Sequence, residues 1–122
     1  MSSNAIRAEI ERLKRCVSDM ESLDEWITSL GKKVAKKADS FSGVRVAGSW
    51  KGDAADEFQK ELDRTRDKVT RSANRASRAS RTIGSEIAKT KVEILLKEAQ
   101  LVLALAEEAA ARAVKAAKGA NP

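Results

Sequence analysis

Apolar residues in the first third of the chain fall at Ile6, Ile10, Leu13, Val17, Met20, Leu23, Ile27, Leu30 and Val34, with steps of three and four between them. A mean step near 3.5 is the seam of one helix wound against another. The pattern predicts a first long helix from Asn4 to about Asp39, with Asn4 or Ser3 able to cap its start. Gly31 interrupts the seam without ending it, because the period resumes at Val34.

"SFSGVRVAGSW", Ser40 to Trp50, breaks the period and has loop composition: two glycines and three serines in eleven residues. After Gly52 the helical signal returns. Asp53 is a candidate N-cap, and Asp56 and Glu57 place negative charge where the first turn favours it. The second seam runs Ala55, Phe58, Leu62, Thr65, Val69, Ser72 or Ala73, Ala76, Ser80, Ile83 and Ile87. Thr, Ser and Ala fill about half of it, which permits close helix approach. No proline precedes Pro122, the last residue. Read literally, the second helix continues from Asp53 to about Lys118; the segment from Val92 either overhangs in this way or folds back at a break, for which Gly84 is the weakest point.

A first helix pairing back from Val34 to Ile6 is expected to cover the second only to about Ile87. This divides the chain into a helical hairpin, 1–91, and a helical extension with a short disordered tail, 92–122. In the extension, Val92, Leu96, Ala99, Leu103, Ala106, Ala110 and Ala113 share one face, with Leu95 and Val102 beside it. Ile94, Leu101 and Leu105 lie around another. A helix apolar over so wide an arc is buried on more than one side. Leu96, Leu101, Leu103 and Leu105 are the expected anchors for a helical partner.

The expected class is all-α: an antiparallel helical hairpin with a C-terminal helical extension. Composition narrows the function. The chain has no histidine and no tyrosine, and Cys16 is its only cysteine. The commonest general acid/base and metal ligand are thus missing, and neither a disulfide nor a cysteine metal site can form within one chain. No phosphate-cradling glycine loop is present. A non-enzymatic protein without catalytic residues, metal, cofactor or small-molecule substrate is expected. Val92 to Ala106, the most apolar stretch, is interrupted by Lys97, Glu98 and Gln100, so no membrane span is expected. The charged N-terminus lacks the apolar core of a cleaved signal peptide.

Trp50 lies in the loop, two residues from Gly48 and two from Gly52. At a hairpin tip, an indole can plug the void where the chains turn. Gly52 can then supply a close backbone approach or a positive φ. Trp50-Lys51-Gly52 at a helix–loop–helix junction, followed by Ala54-Ala55 and Phe58, resembles the W-x-G superfamily of type VII secretion, over about Asn4 to Lys91. Members are small helical hairpins of Gram-positive and actinobacterial cells. Exported members carry a Tyr-x-x-x-Asp or Tyr-x-x-x-Glu tail signal, for which this chain has no tyrosine. That absence and the added C-terminal helix are closer to the small partner proteins encoded beside the LXG-domain toxins of type VIIb systems.

The resemblance implies a targeting factor or co-substrate that binds the helical N-terminal domain of a secreted toxin. A second small helical partner and the secretion ATPase are further implied partners. It also implies a cytoplasmic pool exported without a cleaved signal peptide. Trp50 and Gly52 form the tip motif. Trp26, on the flank of the first seam, is core edge or partner contact, and Phe58 is a further partner-binding candidate.

The net charge is +6, and most of it sits in one stripe: Arg64, Lys68, Arg71, Arg75 and Arg78. These residues fall opposite Phe58, Leu62, Val69 and Ala76 on a helical wheel. From Arg64 to Arg81 there are seven cations and one anion, Asp67. Such a stripe suits a solvated face, an acidic protein partner or phosphate. The last possibility defines the alternative function, a basic helical nucleic-acid-binding or architectural protein. Against it, no aromatic residue is interleaved for base stacking, and no helix-turn-helix or zinc pattern occurs. A coiled-coil adaptor unrelated to secretion is the third reading.

Overall fold

The computed structural model describes residues 2–120. The fold is all-α, an antiparallel hairpin of two long helices, α1 (Ser3–Ser42) and α2 (Asp53–Ala120). No strand occurs among the described residues. α2 passes through Gly84 without a break and takes in Gly119 and Ala120. Of the tail expected to be disordered, Asn121 and Pro122 lie outside the described residues.

The start of α1 is capped one residue earlier than expected. The Ser2 hydroxyl accepts the Ala5 N–H at 3.2 Å, and the Ser2 carbonyl accepts the Ile6 N–H at 3.1 Å. These bonds satisfy donors that the first turn leaves without helical partners. Likewise, Gly52 and not Asp53 is the capping residue of α2, because its carbonyl accepts the Asp56 N–H at 3.1 Å. Asp53 and Asp56 sit inside the first turn, where the helix dipole favours them.

The chain divides into two compact units. One joins the chain up to Glu21 with the chain from Ser85 onward; the other is Ser22–Gly84. In the first unit the core is Ile6, Ile10, Leu13 and Val17 of α1 against Ile94 and Ala104 of α2, with Met20, Ile87 and Leu101 packed alongside. Polar contacts fasten its rim. The Ser3 N–H and hydroxyl donate to the two oxygens of Glu108 at 3.0 and 2.8 Å, and Lys97 Nζ lies 2.7 Å from Glu9 Oε2.

The segment from Val92 is therefore not an overhang. α1 covers α2 well beyond Ile87, and Leu101, expected to anchor a partner, already packs within the chain. Leu105 is half-buried.

In the second unit, α1 and α2 approach closely at Gly31. A Cβ built there would stand 3.1 Å from the Ala76 Cβ, tighter than ordinary van der Waals contact. Beside that approach, Ile27, Gly31 and Ala35 face Ala73, Ala76 and Ser77 across an open apolar groove. One turn away, the Ser80 hydroxyl donates to Asp24 Oδ1 at 2.5 Å. Its single proton is thereby used, so the Thr28 hydroxyl, 3.4 Å off, is the donor to Ser80.

The connecting loop explains this pairing. The Val46 N–H donates to Gln59 Oε1 at 3.1 Å, and Arg66 Nη2 donates to the Val44 carbonyl at 3.0 Å. The loop thus runs back along the first turns of α2. α1 begins to pair only beyond them, which places Gly31 by Ala76 and Thr28 by Ser80.

Candidate interaction surfaces

The tip is built by a turn and a glycine. The Trp50 N–H donates to the Ala47 carbonyl at 2.9 Å, closing a turn over Gly48 and Ser49. Gly52 then takes φ +110°, with open space where a Cβ would be. It is conformation and not crowding that requires glycine here.

Trp50 does not plug a void. Its residue surface is 45% exposed, and its ring meets that of Phe58 at 5.7 Å between centroids and 49° between planes. Phe58 is itself half exposed. The reason lies in the loop's course: Val44 and Val46 are bonded to Arg66 and Gln59 along the side of α2 and do not arch over the helix ends. Ala55 is the residue buried at this end. The result is an aromatic pair presented to solvent at the tip, with the ring contact holding the indole in one place.

On α1 in the same unit, Trp26 is 63% exposed, with Leu23 and Leu30 exposed three residues before it and four after. These three share a flank of the helix. Trp26 is thus not core edge. Arg64, Lys68, Arg71, Arg75 and Arg78 are all exposed. Arg64 pairs with Glu61 one turn back, and Arg71 Nε reaches the Asp67 carbonyl at 3.4 Å.

The largest apolar surface belongs to the first unit. Val92, Leu95, Leu96, Val102, Leu103 and Val114 each keep 54% to 67% of their surface exposed. Ala99, Ala106, Ala110, Ala113 and Ala117 are exposed among them. On a helical wheel these residues center opposite Ile94, Leu101 and Ala104, which face α1. From Ile94 to Glu108 α2 is thus two-faced, one side in the core and the other bare, and from Ala109 to Gly119 it is exposed all round. Leu96 and Leu103 lie on the bare side; Leu101 and Leu105 do not. Sequence reasoning missed Leu95, Val102 and Val114 as surface anchors, although the flanking positions of Leu95 and Val102 were legible.

Two carboxyls in this unit are held below the usual range. The Lys97 ammonium bonded to Glu9 lowers its carboxyl, with Arg12 adding to the effect. The Ser3 backbone N–H and then the Ser3 hydroxyl lower Glu108. Each cause favours the ionised form by direct hydrogen bonding or charge. Among the described residues, no group of three or more His, Cys, Asp or Glu side chains could hold a metal ion. Among the described residues, no helix is long and apolar enough to cross a membrane.

Comparison with known proteins yields no significant match to any family model, curated sequence or solved structure.

Proposed function

We propose that this chain is a non-enzymatic helical partner protein of a type VIIb secretion system, binding the helical N-terminal domain of a secreted toxin. The observation that carries the reading is the bare apolar face of α2, Val92 to Ala117, on a helix whose opposite face packs on α1 as far as Glu108. Exposed contiguous apolar surface of this extent marks an interaction site. A face that follows a helical period fits another helix. The W-x-G tripeptide supports the secretion context, with Trp50 and Phe58 exposed at the tip as a recognition pair. Export with the cargo, from a cytoplasmic pool, follows from the same reading, as do contacts with a second small partner and the secretion ATPase.

Co-expression with the helical N-terminal domain of the toxin encoded beside the gene tests the proposal. A stable complex is expected, and replacing Leu96 and Leu103 by Asp is expected to abolish it while circular dichroism stays helical. Absence of a complex with the wild-type chain refutes the reading.

The exposed basic stripe favours a second reading, nucleic-acid binding. It predicts affinity that falls steeply with salt. Arg71→Glu, Arg75→Glu and Arg78→Glu together would abolish it.

A further inference from the structure

We propose that the bare face of α2 is a self-complementary seam that closes on a second copy of this chain, with the two α2 helices antiparallel. The seam has a strict period. Val92, Leu96, Ala99, Leu103, Ala106, Ala110, Ala113 and Ala117 are separated by alternating steps of four and three. This is a heptad repeat, and Leu95 and Val102 widen it by a third apolar position. It runs along roughly 38 Å of helix at 1.5 Å per residue.

Side-chain size is graded along the seam. Its first half carries Val92, Leu95, Leu96, Val102 and Leu103; its second half is alanine, apart from Val114. Parallel pairing sets leucine on leucine at one end and alanine on alanine at the other. Interaxial distance follows the side chains in contact, so such a pair cannot pack evenly along its length. Antiparallel pairing about a twofold near residues 104 and 105 sets Val92 against Ala117, Leu96 against Ala113, Ala99 against Ala110 and Leu103 against Ala106. Every layer then holds one residue from each half of the seam, and large meets small in three of the four pairings, with Ala99 on Ala110 as the one small layer, so the spacing is far more even than in the parallel pair. A twofold pairs the same patch on both copies, which is the commonest closed arrangement of soluble chains.

The area suffices. Six aliphatic side chains more than half exposed, with the alanines between them, present on the order of 500 Å² per copy. Two copies together reach the roughly 1,000 Å² that a specific interface needs. Within the first unit, α1 packs on the opposite face of α2, against Ile94, Leu101 and Ala104. This inference stands apart from the secretion reading: a toxin helix with a matching gradient would replace the second copy on the same seam, and toxin capture is measured separately from self-pairing.

Light scattering after size exclusion tests the association at micromolar concentration. The expected mass is twice the 13.2 kDa of the chain. Leu103→Asp is expected to return it to a single chain of unchanged helicity. Orientation is tested by disulfide trapping in a Cys16→Ser background. Chains carrying Leu96→Cys and chains carrying Ala113→Cys are expected to cross-link when mixed, and Leu96→Cys chains alone are not. A wild-type mass of one chain up to hundreds of micromolar overturns the proposal. So does a dimer that survives Leu103→Asp, or cross-linking of Leu96→Cys chains to one another.

Discussion

Ile94 and Leu96 are two residues apart on α2 and chemically alike, yet the structure gives them opposite fates. Ile94 is 9% exposed within the core formed with Ile6, Ile10, Leu13 and Val17; Leu96 is 60% exposed. Truncation of each to alanine separates the two faces of the helix. Ile94→Ala removes buried carbons and leaves space that a long helix cannot readily collapse, a loss of about 2–4 kcal/mol. The higher helix propensity of alanine returns about 0.4 kcal/mol. Leu96→Ala removes carbons that are mostly in water and leaves no cavity, a loss of about 1 kcal/mol or less.

For a chain of this length, 1 kcal/mol moves the midpoint by about 4 °C. Ile94→Ala should therefore lower Tm by roughly 6 °C or more, and Leu96→Ala by no more than about 4 °C. Ellipticity at 222 nm during heating is the readout. A Leu103→Asp background keeps self-association from adding a concentration-dependent term. Equal losses for the two variants, or a neutral Ile94→Ala, would mean that this segment does not pack on α1 as described, and both the core and the bare seam would be wrong.

The tip offers a smaller effect: with Trp50 half exposed against Phe58, Trp50→Ala should cost about 1–2 kcal/mol in thermal melts, and a loss above about 3 kcal/mol would show a buried indole. Gly52→Ala should destabilise by about 1–2 kcal/mol, because φ +110° is hostile to any side chain; an unchanged melt would place that φ elsewhere. Glu9 and Glu108 have lowered folded-state pKa values, so the stability they add is complete above the ordinary carboxylate range and is lost as pH falls through the folded values. The double variant Glu9→Gln, Glu108→Gln should flatten the decline in Tm between about pH 5 and pH 3, and an unaltered slope would contradict the Ser3 and Lys97 contacts.

The all-α class and both helices were legible in the residues themselves. A 3.5-residue period from Ile6 to Val34, a chain without internal proline and glycine-serine punctuation around Trp50 leave little alternative to two helices and one break. The small residues of the second seam also foretold the close approach at Gly31. The two apolar faces beyond Val92 could be separated on a wheel as well, since a helix fixes the angle between its own residues. The pairing of the helices could not be read in this way. Periodicity says which face of a helix is buried but not where along its partner, and counting residues back from the hairpin tip assumes that the loop arches directly over.

Here the loop instead lies along α2, held by Gln59 and Arg66. Within the second unit, this course moves the pairing of α1 further up α2, and Trp50 is left half exposed. Which of the two apolar faces is core and which is bare was accordingly decided by tertiary contacts. The reason is physical: backbone hydrogen bonds within a helix are local and set by sequence, whereas its axial position depends on side-chain packing summed over another helix, and a few loop contacts are enough to choose among registers that the period alone leaves equivalent.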